Sequence, residues 1–261
     1  MRIVSLSVDG IHQAAKQGLF DWLAGQDADL ICLQDLRARE DELEHPAFQL
    51  EGYHAYFFDS GTPHCNGVGI YTRRQPKALI YGFGFSSGVD MEGRYLQADF
   101  DNISIGSLLM PSGLSSDGQP SGSAQVIKEK FLDDMQAHLD KISRKRRDFI
   151  FCGNWAMAHC EDDVENASQH ENDTGFLARE RQWMDQLVTQ LDYDDAFRVD
   201  NGDTDEYSHY PSGKAGKGDG WRTDTHIISC NLESRVEYAT IYKSKAFSSH
   251  RPVVIDYELE V

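Results

Sequence analysis

Three side chains in this sequence have the chemistry of a hydrolytic site: the carboxylates of Asp35 and Asp224 and the imidazole of His250. Carboxylates can hold a divalent cation, and an imidazole can exchange a proton near neutral pH. Together they suit the metal-assisted cleavage of a phosphoester. A fourth polar residue, Asn154, follows Gly153 at the end of an apolar run. Its amide cannot accept a proton at neutral pH, so Asn154 cannot act as a general base.

Apolar segments with strand patterns must position these residues. The patterns predict strands at residues 3–8, 30–33, 68–71, 78–81, 95–100, 103–110, 149–152, 227–229 and 253–257. Helical spacing predicts helices at residues 11–25, 125–143 and 178–191. Since strands outnumber helices and several neighbours look like hairpins, we expect an α/β fold with mixed sheets.

Composition and charge describe an ordinary globular chain of 261 residues, with 40% apolar residues and a net charge of −18. We expect no signal peptide, no membrane span and reduced cysteines, and therefore a cytoplasmic protein. The acidic charge argues against a surface that grips nucleic acid unaided. One basic segment, residues 141–147, has five cations in seven positions. This segment is either a local docking site or simply solvated surface.

The order of the polar segments resembles the exonuclease III branch of the endonuclease/exonuclease/phosphatase fold. The resemblance rests on Leu33-Gln34-Asp35, Gly153-Asn154-Trp155-Ala156, Gly220-Trp221-Arg222-Thr223-Asp224 and Ser248-Ser249-His250. It implies a single domain over residues 1–261, with two mixed sheets packed face to face and flanked by helices. Active members of the family use a divalent cation on a carboxylate, a base aimed at water, phosphate donors and an oriented histidine.

Against that family pattern, several polar positions of this chain differ. Asp35 is one methylene shorter than the family's glutamate, Asn154 replaces the aspartate that acts on water, and Ser249 replaces the aspartate that orients the imidazole. Ser7, Leu109 and Ala156 replace polar phosphate-binding groups. Losing a general base costs about 10²–10⁴ in rate. The resemblance therefore predicts a non-catalytic protein without metal or cofactor, in which Asp35, Asn154, Asp224 and His250 are vestigial and Asp224 and His250 serve structural hydrogen bonds.

A second resemblance, to the catabolite repression control proteins (Crc), matches these departures. It rests on Ile31-Cys32-Leu33-Gln34-Asp35, Leu108-Leu109-Met110-Pro111-Ser112-Gly113 and Arg144-Lys145-Arg146-Arg147-Asp148-Phe149. It implies translational repression of mRNAs at A-rich sites, together with the RNA chaperone Hfq and without cleavage. An acidic chain with one basic segment would bind RNA weakly alone but could hold RNA that is displayed on a partner.

This interpretation assigns contact roles to ten residues. Phosphate contacts are expected from Arg144, Lys145, Arg146 and Arg147, and more weakly from Arg222, Arg235 and Arg251. Trp155, Met157 and His159 could stack on a base or pack on the partner. The alternative for Trp155 and Met157 is packing in the core.

Two other functions stay open from the sequence. The first is a Mg²⁺-dependent phosphodiesterase of the exonuclease III or abasic-site endonuclease type, with Asp35 and Asp224 on the metal and His250 active. The second is an inert binding module with an unrelated partner. Changing Asn154 to Asp together with Ala156 to Asn would discriminate between them, because it revives activity only on an intact scaffold.

Overall fold

The computed structural model describes residues 1–115, 117–202 and 205–260 and contains two six-stranded sheets. The strands are β1 (Arg2–Ser7), β2 (Leu30–Gln34), β3 (His54–Phe58), β4 (Val68–Thr72), β5 (Ala78–Tyr81), β6 (Tyr95–Asp99), β7 (Ile103–Leu109), β8 (Asp148–Asn154), β9 (Tyr193–Asp195), β10 (Asp224–Ser229), β11 (Val236–Ile241) and β12 (Val253–Tyr257). The first sheet has the order β11-β12-β1-β2-β4-β3, and the second has the order β5-β6-β7-β8-β10-β9.

Both sheets are mixed, as the sequence predicts. β1 pairs with β2 in parallel, and β7 pairs with β8 in parallel. The other pairs that flank them are antiparallel, including β1 with β12 and β8 with β10. The two-sheet α/β architecture expected from the resemblance is therefore confirmed.

Alternation along the central strands explains why both faces of each sheet are covered. In β1, Ile3 belongs to the core between the sheets, whereas Val4 and Leu6 belong to the core on the outer face. In β8, Ile150 points into the space between the sheets and Phe151 into the outer core of the second sheet. Because side chains alternate with a period of two, a strand that is apolar throughout supplies two cores at once.

The helices of the described residues cover the outer faces, except the last one, whose Ala196 and Phe197 pack in the core between the sheets. They are α1 (Ile11–Lys16), α2 (Leu19–Ala24), α3 (Glu40–Leu43), α4 (Gly122–Ser143), α5 (Ala178–Gln190) and α6 (Ala196–Asp200). The single helix predicted for residues 11–25 is wrong: Gly18 has a φ of 83° and separates α1 from α2. The described residues contain no helix long and apolar enough to cross a membrane.

One edge of the molecule collects the strand ends that carry polar residues. The parallel pairs bring Ser7 beside Gln34 and Leu109 beside Asn154. The antiparallel partner β10 begins at this edge, with Asp224 opposite Asn154. Gln34 Nε2 donates to Ser107 Oγ across the two sheets at 2.9 Å, so the two edges meet.

Candidate active site

A cleft of about 730 Å³ opens at this edge of the sheets, a size typical of ligand sites. Its lining includes Arg37, Asn154, His209, Thr223 and His250. The cleft therefore gathers residues from both sheets and from the loops that follow their strands.

The imidazole of His250 is held by a buried carboxylate in the cleft. Its Nδ1 lies 2.7 Å from Oδ2 of Asp224, which is 2% exposed and also accepts a hydrogen bond from Ser208 Oγ at 2.7 Å. Burial alone would lower the pKa of His250, but the charge and hydrogen bond of Asp224 outweigh it and raise that pKa. The expectation that the imidazole lacks an orienting carboxylate, since Ser249 replaces an aspartate, is therefore wrong.

A second carboxylate, Asp9, reaches the same loop from the end of β1. Asp9 Oδ2 accepts hydrogen bonds from the backbone N–H of Ser249 at 2.8 Å and from its hydroxyl at 2.5 Å. Burial would raise the pKa of Asp9, but nearby His250 and these Ser249 donors lower it. Asp9 thus carries a negative charge close to the position of the missing aspartate, from a place 240 residues away in the chain.

Gly153 fixes where Asn154 enters the cleft. Its φ is 151°, and a Cβ at this position would lie 2.0 Å from the carbonyl oxygen of Leu108, so only glycine fits between the paired strands. Asn154 Oδ1 accepts a hydrogen bond from the backbone N–H of Ala156 at 2.8 Å. The amide NH₂ is then the part of Asn154 that can donate to a ligand.

Asp35 is already occupied by a cation, the guanidinium of Arg37. Arg37 Nη2 donates to Asp35 Oδ2 at 2.6 Å and Nε donates to Oδ1 at 3.1 Å, so both carboxylate oxygens are engaged. Burial raises the pKa of Asp35, although Arg37 opposes that shift. In residues 1–115, 117–202 and 205–260, no group of three His, Cys, Asp or Glu side chains could hold a metal ion. As arranged, these residues do not fit a divalent cation on Asp35.

Three buried oxygen atoms at this edge have no hydrogen-bond partner among the described residues: Ser7 Oγ, Gln34 Oε1 and Asp224 Oδ1. Buried polar groups in folded proteins are normally satisfied. These three exceptions lie at the ends of β1 and β2 and at the start of β10.

A second histidine, His209, stacks on His250, with ring centroids 4.2 Å apart and planes 14° apart. Burial first, and then the charge of His250, lower the pKa of His209 to about 3. The ring of His209 is therefore neutral near pH 7, whereas the raised pKa of His250 favours its protonated form.

Four of the predicted contact residues are buried and cannot meet a partner. Trp155 is 0% and Met157 2% exposed, so their prediction as base-stacking residues is wrong and core packing is correct. Arg222 forms buried ion pairs with Asp163 and Asp195 at 2.7 and 2.6 Å. Arg251 is also buried and donates to the carbonyl oxygen of His250 at 3.1 Å. Both arginines serve internal contacts.

The other predicted contact residues lie elsewhere on the molecule. Arg147 donates to the carbonyl oxygens of Phe100 and Ile103 and so ties the start of β8 to its neighbour strand. His159 pairs with Asp185 at 2.7 Å, and Arg235 with Glu258 at 3.0 Å. Arg144, Lys145 and Arg146 are exposed, with Arg144 paired to Asp140 at 2.6 Å.

The basic segment and the cleft are at opposite ends of β8. The strand starts just after the basic segment and ends at Asn154, and seven residues of strand span roughly 20 Å. The structure therefore does not bring the cationic residues 144–147 to the site that contains His250.

Sequence reasoning missed three residues of the cleft region: Asp9, Arg37 and His209. Only Arg37 has a local signal, since it lies two residues after Asp35 and can fold back on it. Asp9 and His209 approach His250 through contacts between distant segments.

The chain matches a known protein family along most of its length. The profile of the Endonuclease/Exonuclease/phosphatase family matches residues 8–257, and the chain belongs to this family. The exodeoxyribonuclease of Bacillus subtilis is 28% identical over 257 residues, covering 97% of this chain and 98% of that protein. A DNA-(apurinic or apyrimidinic site) endonuclease of Dictyostelium discoideum is 26% identical, covering 99% of this chain and 71% of that protein.

Solved structures give the same fold. An AP endonuclease from Archaeoglobus fulgidus superimposes with a TM-score of 0.86 at 22% identity, covering 99% of this chain and 100% of the other. A 3'-5' exonuclease from Neisseria meningitidis superimposes with a TM-score of 0.85 at 19% identity, covering 99% and 100%.

These findings correct the function expected from the sequence. The prediction of a non-catalytic translational repressor that joins Hfq on A-rich mRNA is wrong, because the relatives that align along the whole chain are named nucleases. The prediction that the protein is not an enzyme is wrong for the same reason. The contact between His250 and Asp224 agrees with this correction.

Proposed function

We propose that this protein hydrolyses phosphodiester bonds in DNA, as an enzyme of the exonuclease III and abasic-site endonuclease class. The observation that carries the proposal is the buried pair of His250 and Asp224, 2.7 Å apart, in a cleft at the edge of this family's fold. The nuclease relatives over 97% or more of the chain support it.

His250 is the group that meets the negative charge of the reacting phosphate. Because Asp224 holds Nδ1, Nε2 is the ring nitrogen left for a ligand. The raised pKa of His250, in which Asp224 outweighs burial, favours a proton on Nε2. A protonated imidazole fixed in a cleft stabilises charge that develops on a phosphate oxygen, an effect worth about 10²–10³ in rate for a single donor.

Asn154 binds and orients but cannot take a proton. Its NH₂ group can donate to a phosphate oxygen or hold a water molecule, while its Oδ1 stays on Ala156. Without a carboxylate at this position the attacking water is activated weakly. We therefore propose a slow enzyme, below a relative with a general base by about 10²–10⁴.

The net charge of −18 limits how DNA is held. An acidic body repels the backbone, so contacts must be local to the cleft and few phosphates are neutralised. The proposed substrate is therefore one feature of DNA, such as an abasic site or a 3' end, rather than a long tract of duplex.

The experiment that tests the proposal is a single-turnover cleavage assay in Mg²⁺ with end-labelled duplexes. One duplex carries an abasic site, one a recessed 3' end and one neither feature. We expect cleavage of a featured duplex, a loss of about 10²–10³ in rate for His250→Gln, and no change for His12→Gln. His12 is the control because it is exposed and paired with Glu42 at 3.0 Å, outside the cleft. If the wild-type protein leaves all three duplexes intact, the proposal fails.

A further inference from the structure

The guanidinium of Arg37 occupies the carboxylate of Asp35, on which the family resemblance places a divalent cation. It makes a two-point contact with Asp35, at 2.6 and 3.1 Å, and its Nη2 lies 3.6 Å from Oδ1 of Asp9. The carboxylates of Asp35 and Asp9 therefore hold the guanidinium of Arg37 in place near the ends of β1 and β2. A bidentate pairing of this kind sets the orientation of the guanidinium as well as its position.

The same guanidinium still has donors to offer. An arginine carries five N–H groups, and Asp35 uses one on Nε and one on Nη2. Nη1 makes one long contact, 3.4 Å, with the carbonyl oxygen of Asp9. The side chain of Arg37 is 45% exposed and lines the cleft together with His250 and Asn154. Two N–H groups are thus left to meet a ligand in the cleft.

We propose that Arg37 binds a phosphate group of the DNA substrate in place of a divalent cation, so that substrate binding does not require metal. The inference rests on the proposed function and names the group that recognises its substrate. Phosphate suits this site because its oxygens are acceptors only and because arginine matches phosphate in charge and shape. Asp35 and Asp9 then act as positioning residues, which hold the guanidinium in place.

The alternative, in which a cation displaces Arg37 from Asp35, gives the opposite expectation. Displacing Arg37 would break two hydrogen bonds to a carboxylate that is mostly buried. If that occurred on substrate binding, removal of divalent metal would abolish binding. The two possibilities are therefore separated by a binding measurement in which no bond is cleaved.

The test is fluorescence anisotropy with a labelled duplex that contains a tetrahydrofuran analogue of an abasic site. Wild-type protein is titrated in Mg²⁺ and in EDTA, at one fixed low salt concentration. We expect the two dissociation constants to agree within about twofold. Since a hydrogen bond to a charged group contributes about 1.5–3 kcal/mol, Arg37→Met should weaken binding by about 10- to 100-fold.

Three variants control for charge, fold and orientation. Arg39→Met removes an exposed cation that is paired with Asp41 outside the cleft, and its binding should match the wild type. Arg37→Lys keeps the charge but replaces the planar fork of five N–H donors with a single ammonium that has three, so its affinity should lie between those of Arg37→Met and the wild type. Asp35→Asn removes the carboxylate that orients Arg37 and should also weaken binding. Thermal melts of each variant show whether it is folded.

The effect of Mg²⁺ on DNA binding by Arg37→Met is a second readout, and it does not depend on a loss of affinity. Removing Arg37 frees Asp35, so Mg²⁺ should strengthen DNA binding by Arg37→Met although it does not strengthen binding by the wild type. The proposal is overturned if EDTA abolishes wild-type binding, if the wild type does not bind the duplex, or if folded Arg37→Met binds as tightly as the wild type. Tight metal-independent binding that depends on Arg37 but is not followed by cleavage would refute the proposed function, and only the contact of Arg37 with a DNA phosphate would remain.

Discussion

Single residues decide what the cleft can do. His250 takes its orientation from Asp224, while Asp9 lies against Ser249 in the preceding position. The aspartate that Ser249 replaces is thus compensated by the carboxylates of Asp224 and Asp9, which belong to other segments of the chain. Asn154 has no such replacement, because an amide cannot accept a proton at neutral pH.

At the residue scale we predict that Asn154→Asp accelerates cleavage of the abasic duplex. The aspartate can still accept the hydrogen bond from Ala156, which Asn154 accepts at 2.8 Å, and adds a base for water. The expected gain in the single-turnover rate is on the order of 10²-fold, at the lower end of the effect of a general base. Asn154→Ala is the control and should not gain activity. An unchanged rate for a folded Asn154→Asp would show that this position does not face the attacking water.

A buried ion pair between two helices holds part of the cleft lining in place. Lys128 of α4 and Glu180 of α5 are 0% and 1% exposed, with Nζ and Oε1 2.6 Å apart. Lys128 Nζ also donates to the carbonyl oxygen of Ala156 at 2.8 Å, and Glu180 accepts from the N–H of Gly175 at 2.8 Å. Two helices on the outer face thus fix two loop residues that line the cleft.

At the element scale we predict that Lys128→Met destabilises the fold by about 3–5 kcal/mol, since it leaves Glu180 buried without its partner charge. The free energy of unfolding, measured by urea titration, gives the value. The double variant Lys128→Met with Glu180→Gln should lose less than Lys128→Met alone, because the unpaired charge is gone. Equal stability of Lys128→Met and the wild type would contradict the role of this pair.

The molecule as a whole depends on the contact between its two sheets. His226 of β10 is completely buried there and meets Ser5 Oγ of β1 and Tyr257 Oη of β12, both at 3.0 Å. Burial lowers the pKa of His226 to about 3, so the ring is neutral in the folded protein. Its ordinary pKa of 6.5 returns on unfolding.

At the scale of the molecule we therefore predict a stability that falls with acid. The unfolded chain binds a proton at His226 that the folded chain excludes. The stability that the neutral His226 allows is fully present above pH 6.5. As the pH falls from 6.5 toward 3, the free energy of unfolding decreases by about 1.4 kcal/mol per pH unit. Urea titrations at pH 7.5 and pH 5.5 measure it, and His226→Gln should show a smaller loss than the wild type. Equal losses for the two proteins would refute a neutral His226.

The sequence predicts the central strands well because they are buried on both faces and apolar throughout. It misses β3, β9 and β11, which lie at sheet edges and are short or alternate poorly, with exposed residues such as Tyr238. In the site, Asp224 and His250 follow from short motifs. The contacts of Asp9 with Ser249, and of His209 with His250, follow only from packing between distant segments.

The erroneous prediction of an inactive protein has the same origin. A motif shows that a serine, Ser249, stands at the position of an aspartate, but it does not show which groups the fold brings beside that serine. Asp9 is the clearest case, because its two hydrogen bonds to Ser249 join positions that are 240 residues apart in the chain.

The most direct test is the single-turnover cleavage of an end-labelled abasic duplex by the wild-type protein beside His250→Gln, prepared identically. We expect slow cleavage by the wild type that falls by about 10²–10³ in the variant. Equal cleavage by both proteins, or an intact duplex with both, would contradict the assignment of this cleft as a phosphodiesterase site.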